Sequence, residues 1–152
     1  MKVLIIRTIQ AELIGGLIDK WEDKFPNSTF DVLTHSGQPN ISKKVNVTHL
    51  YNIQADFSWK KLNKQSRKVL KGYDVIIFPH KWKSITGFHE VIELAIKLTP
   101  KEVYHSTKDG TLIKINKIII IWIYLRKMLV ISGFLILVPL FILMLTNKLR
   151  KL

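Results

Sequence analysis

Apolar and polar positions change their spacing repeatedly along the first 115 residues of this 152-residue chain. Lys2–Arg7 (KVLIIR) is a short unbroken apolar run, the pattern of a strand buried on both faces. Glu12–Lys24 follows, with Leu13, Leu17, Ile18 and Trp21 on one helical face, and Pro26 stops it. Gly15 and Gly16 weaken that helix and point to close packing on a sheet. Thr29–Thr34 (TFDVLT) reads as a second strand, and His35–Asn40 as a polar loop. A short third strand is predicted within Val45–Ile53. Ser58–Leu70 is predicted to be a basic amphipathic helix with Trp59, Leu62, Val69 and Leu70 on its apolar side, ended by Gly72. Tyr73–Pro79 (YDVIIFP) has the pattern of a central strand. Thr86–Leu98 is a helix with Phe88, Val91, Ile92, Leu94, Ala95 and Leu98 facing inward, broken by Pro100. Glu102–Ser106 is a fifth strand, Asp109-Gly110 a turn, and Thr111–Ile115 a short edge strand.

Buried strands that alternate with helices of about ten residues imply a mostly parallel sheet with helices on both faces. The expected fold class is α/β: a single Rossmann-like domain over residues 1–112, with strand order 3-2-1-4-5, followed by a C-terminal transmembrane or re-entrant helix. The tail prediction rests on Met128–Thr146 (MLVISGFLILVPLFILMLT), nineteen residues without a charge. A helix rising ~1.5 Å per residue needs about 20 such residues to cross a bilayer. Residues 113–127 read as a basic and apolar interfacial segment containing Ile118–Leu125 (IIIIWIYL), and 147–152 as a basic tail. Pro139 and Gly133 leave room for a re-entrant hairpin instead of a single crossing.

Charge reinforces this division. The formal net charge is +13, yet all 11 acidic residues lie at or before Asp109. Seven basic residues flank the apolar tail, where anionic lipid headgroups are the natural partner. No recognised RNA or DNA motif accompanies the basic balance, so no nucleic-acid partner is expected. The chain has no cysteine, which excludes disulfides and thiolate metal sites. MKVLIIRTIQ is too short an apolar run for a signal peptide, so the head is expected in the cytoplasm, attached to a bacterial inner or plasma membrane.

In an open parallel sheet, ligands bind beyond the carboxyl ends of the strands. Thr8 and Gln10 follow the first strand there, and Lys81, Lys83 and Thr86 follow the fourth; together they are candidates for holding a substrate or a phosphate. His80 is a candidate general base because an imidazole near pH 7 suits proton transfer; His35, His89 and His105 are alternatives. Glu12 is the carboxylate nearest the first turn and a second candidate base, although an early helix position also suits Glu by the helix dipole alone. No glycine-rich dinucleotide fingerprint, phosphate-binding lysine loop, nucleophile elbow or metal-ligand spacing occurs, so neither a cofactor nor a metal is expected.

The segments KVLIIR, WEDKFPNSTFDVLTH, KGYDVIIFPHK, LAIKLTP and KEVYHSTKDG make residues 1–112 resemble the N-terminal half of heptosyltransferase-like glycosyltransferases. That resemblance implies two paired Rossmann-like domains, the first receiving the acceptor, in bacterial surface-polysaccharide assembly. Such enzymes carry a Gly-Asp pair after the first strand, where this chain has Thr8-Ile9-Gln10-Ala11-Glu12. The half that binds a nucleotide sugar is expected to be replaced by the apolar tail. The resemblance therefore implies a separate nucleotide-sugar-binding partner subunit and a lipid-linked glycan acceptor, with no sugar transfer by this chain alone. The alternative is a non-catalytic, membrane-tethered interaction module.

Overall fold

The structure is a computed structural model that describes residues 1–35, 41–51, 57–81 and 87–116, together with Ile121, Leu125, Met128 and Leu129. It divides into two units, Met1–Ile115 and Asn116–Leu152. The first unit contains β1 (Lys2–Ile6), α1 (Glu12–Glu22), β2 (Thr29–His35), β3 (Val45–Tyr51), α2 (Lys64–Val69), β4 (Val75–Pro79), α3 (His89–Lys97), β5 (Glu102–Ser106) and β6 (Leu112–Lys114). One sheet holds all six strands in the order β3-β2-β1-β4-β5-β6. Every pairing is parallel except that of β5 with β6. The predicted α/β class and the order 3-2-1-4-5 hold, and the edge strand after Asp109-Gly110 adds a sixth, antiparallel member.

Alternation along the strands sorts the core into two faces. Val3, Ile5, Phe30, Val32, Val75 and Ile77 pack with Ile14, Leu17, Ile18 and Trp21 of α1. Leu4, Ile6, Leu33, Ile76 and Phe78 point to the other face, where Phe78 stacks on Phe88 at the start of α3 (6.3 Å between centroids). In α1 the buried stripe starts at Ile14, and the predicted Leu13 lies outside it. Val91, Ile92, Leu94, Ala95 and Leu98 are buried on α3 as the periodicity predicts.

One predicted helix breaks in two. Over Ser58–Leu70 the chain makes a 3-10 turn, Trp59–Lys61, then runs extended through Leu62 and Asn63 before α2 begins. Asn63 causes the restart: its side chain accepts a hydrogen bond from Ser66 N at 2.7 Å, and Asn prefers such a cap to a helix interior. The break resets the helical phase. Leu62 and Leu70 are buried, whereas Val69 is turned outward.

A second local feature lies between β2 and β3, where the register shifts between Phe30 and Val32. Buried Asp31 fills the gap in the ladder. Its Oδ1 accepts from Val47 N (3.0 Å) and Asn46 Nδ2 (3.1 Å), and its Oδ2 from the Tyr73 hydroxyl (2.6 Å). The single Tyr73 proton is thereby used, so His49 Nε2, 2.6 Å from the Tyr73 oxygen, is the donor to it. Burial holds the His49 imidazole below its ordinary value, partly offset by the Asp31 charge. Burial, the Asp31 hydrogen bond and its charge push the Tyr73 phenol upward. A histidine depressed in the folded state contributes stability that is present above the unfolded value, about 6.5, and lost as pH falls through the folded one. Urea midpoints are therefore expected to fall on the acid side of about pH 6.5, and His49→Gln to flatten that limb. Parallel curves for the native chain and the variant would contradict a depressed His49.

In the second unit Ile121, Leu125, Met128 and Leu129 have helical backbone and exposed side chains. Among the described residues no helix is long and apolar enough to cross a membrane. The predicted span Met128–Thr146 lies outside the described residues, apart from Met128 and Leu129.

Candidate functional site

Because β1 leads through α1 to β2 on one side while β4 lies on the other, the strand order reverses between β1 and β4. Chain segments diverge there and leave a crevice beyond the carboxyl ends of the strands. A cavity of about 470 Å³ occupies this place. It is lined by Arg7, Thr8 and Ile9 after β1, by His35 at the end of β2, by Phe57, and by Gly87–Val91 at the start of α3. A second cavity of about 540 Å³ is lined by Arg7, Thr8, Ile9, Gln10, Ala11 and Glu12. The loop from β1 to α1 thus faces both spaces.

Arg7 is the residue that sequence reasoning missed, because its position marks it only as the end of the first strand. It is half-buried. Its Nε donates to Thr34 Oγ1 (2.6 Å) and one terminal nitrogen donates to the Ile9 carbonyl (3.1 Å). These bonds fix the guanidinium, and among the described residues it forms no ion pair. Burial lowers its proton affinity and the Glu12 charge raises it, though an arginine remains charged throughout the physiological range. A held, desolvated cation at the mouth of two cavities suits an anionic group. The signal available in sequence was a charge directly following a strand buried on both faces.

The predicted site residues divide into three groups. Thr8, Gln10 and Glu12 do come together, lining the second cavity. Thr8 also lines the first, and its hydroxyl donates to the Pro79 carbonyl, pinning the ends of β1 and β4 to each other. Its lone pairs, and not its proton, therefore face a ligand. Gln10 and Glu12 are exposed, and Glu12 stands in the first turn of α1, whose N-terminus has no side-chain cap. His80 and Lys81 line neither cavity. The His80 ring packs 4.0 Å from Phe88 and 5.8 Å from fully buried His105, and its backbone N donates to Ser106 O. Lys83 and Thr86 lie outside the described residues.

Two of the alternative histidines fare differently. His35 and His89 line the crevice, together with Glu90. The His35 ring lies 4.3 Å from Phe57 and 5.5 Å from Tyr51, so aromatic neighbours set its orientation. Glu90 faces outward on a helical wheel, yet it lines the cavity with the start of α3. The crevice therefore combines a cation, a hydroxyl, two imidazoles and a carboxylate, a set able to hold an anion and move a proton. No group of three or more metal-ligating side chains occurs among the described residues.

No family model matches the chain, and no curated protein matches it. Among solved structures it is similar to a sugar N-formyltransferase from a Shewanella species, at 18% identity and a TM-score of 0.34, over 69% of this chain. The chain spans 38% of that protein's length, and a likeness of this size carries no argument about function.

Proposed function

We propose that the first unit is the acceptor-binding part of a heptosyltransferase-like glycosyltransferase, held by the C-terminal segment at the cytoplasmic face of a bacterial membrane. The acceptor is a lipid-linked glycan of surface-polysaccharide assembly, whose phosphate would meet Arg7 and whose sugar would enter the crevice. Donor binding is assigned, as in the resemblance, to a separate nucleotide-sugar-binding partner. The observation that carries the reading is the switch-point crevice lined by Arg7, Thr8, His35, His89 and Glu90. The apolar stretch at 128–146 and its basic flanks support the membrane tether.

Histidine modification tests the crevice. Glucose 1-phosphate is expected to shield His35 and His89 from carbethoxylation while His49, which lines neither cavity, keeps its rate. Equal rates for all three with and without the ligand would contradict the assignment. The tether and its orientation have their own test, since the chain is cysteine-free. Single cysteines replacing Leu152 and the exposed Lys43 are to be probed with a membrane-impermeant thiol reagent on intact cells. Position 43 is expected to remain unlabelled, and its labelling would refute a cytoplasmic head. Labelling at 152 alone indicates a single crossing, and at neither position a hairpin.

A non-catalytic interaction module is the second reading, favoured by the loop Thr8–Glu12 having no Gly-Asp pair. Sugar transfer on adding a donor-binding partner would exclude it.

A further inference from the structure

Residues 1–112 hold 17 basic and 11 acidic side chains. Six of the basic ones, Lys60, Lys61, Lys64, Arg67, Lys68 and Lys71, fall within 59–71, where no acid occurs. The other 11 basic residues match the 11 acidic ones, so this short segment carries the whole positive excess of the head. The pattern continues in the ion pairs. Lys44, Lys97, Lys101 and Lys114 each pair with a carboxylate, and none of the six does among the described residues.

The segment is anchored rather than loose. Leu62 and Leu70 are buried beneath it, Asn63 caps α2, and the 3-10 turn packs on α3. The five lysines are exposed, and Val69 stands exposed among them. Arg67 is used internally. Its guanidinium lies 4.6 Å from the Trp59 ring and donates to the Trp59 carbonyl (2.9 Å). Lys97 Nζ approaches the same ring at 6.0 Å.

We propose that Trp59–Lys71 is a docking surface for an anionic phospholipid bilayer. Lysines around an exposed valine fit headgroup phosphates with a shallow apolar contact. The same geometry disfavours nucleic acid. Single-stranded binding uses open aromatic faces for base stacking, and the Arg67 guanidinium lies over the Trp59 ring. An arginine fork is the side chain best suited to reading guanine, and the only arginine in this segment is bonded to the Trp59 and Lys60 carbonyls. The surface acts whether or not the C-terminal segment crosses the bilayer, and it would press the head onto the same leaflet surface that carries a lipid-linked acceptor.

The test uses the full chain. Gln65→Cys places a single fluorescent donor on α2, and the vesicles carry an acceptor-labelled lipid. Strong transfer is expected with phosphatidylglycerol vesicles, with a large loss in phosphatidylcholine alone and in high salt. Lys60→Gln, Lys61→Gln, Lys64→Gln and Lys68→Gln combined are expected to weaken docking by roughly 100-fold or more, at roughly fivefold per cation. The four side chains are exposed, so circular dichroism is expected to show the fold kept; docking of the folded quadruple variant as tight as the native chain's would assign the lipid and salt dependence to the basic flanks of 128–146 and overturn the surface. A chain that enters both vesicle types with equal transfer would overturn the docking surface and leave the tether intact. Salt-sensitive docking without insertion, lost in the quadruple variant, would support the surface and remove the tether. Tighter binding to an RNA oligonucleotide than to anionic vesicles would overturn the proposal in favour of nucleic acid.

Discussion

Trp21→Ala is expected to destabilise the first unit by about 3–5 kcal/mol, the range for truncating a large aromatic in a core. Trp21 is fully buried at the centre of the cluster joining α1 to β1, β2 and β4. It also reaches across the fold: its Nε1 donates to the Gly110 carbonyl at 3.0 Å, holding the β5–β6 turn against the helix. Lys20 Nζ donates to Asp109 O beside it, at 3.0 Å. Truncation opens a cavity and removes the turn's donor together. Typical domains have only about 5–15 kcal/mol in all, so the variant is expected to melt on the order of 10–20 °C lower. Trp21→Phe keeps most of the volume and loses the hydrogen bond, at a cost of about 1–2 kcal/mol. Urea unfolding measures both. A loss below about 1.5 kcal/mol for the alanine variant would mean that the helix and the turn are not coupled through this residue.

Arg7→Met is expected to weaken binding of glucose 1-phosphate by roughly 10- to 100-fold, the worth of one charge-assisted hydrogen-bonded contact. Methionine keeps the aliphatic stem and removes the fork. Arg7→Lys is expected to fall between, since an ammonium keeps the charge without two parallel donors. The native bonds to Thr34 and Ile9 are lost with the guanidinium, so melting curves are needed beside the titrations. Equal affinity of native and Met variants, with both folded, would remove Arg7 from the site. Salt is expected to weaken native binding and to leave the Met variant less sensitive.

The architecture was legible because buried parallel strands are marked by continuous apolar runs. Lys2–Ile6 and Val75–Pro79 were visible for this reason, and the alternation of strands with amphipathic helices leaves few topologies. The errors arose where a local interaction overrides periodicity. Asn63 restarts a helix that the apolar spacing carries straight through, and Val69 is turned out as a result. Asp31 does lie in the strand predicted there, but its burial depends on a bond across 42 residues to Tyr73 that no sequence window contains.

The candidate site was legible only in part. Thr8, Gln10 and Glu12 follow one strand, so adjacency in sequence becomes adjacency in space. His35 and His89 line one cavity from the end of β2 and the start of α3, which spacing does not encode. Arg7 was hidden because a charge after an apolar run reads as a boundary. Its role depends on Thr34 and Ile9 holding it beside the crevice.

Photocrosslinking tests the central claim most directly. The probe is a polyprenyl diphosphate-linked sugar with a photoreactive group on the sugar, presented to the full chain in membranes. The account predicts crosslinks in the peptides that contain Arg7–Glu12 and Gly87–Val91, reduced by Arg7→Met and by excess glucose 1-phosphate. Crosslinks confined to residues 118–146, unchanged by either treatment, would show the lipid meeting the tail and the crevice empty of sugar, and would contradict the assignment of acceptor binding to this fold.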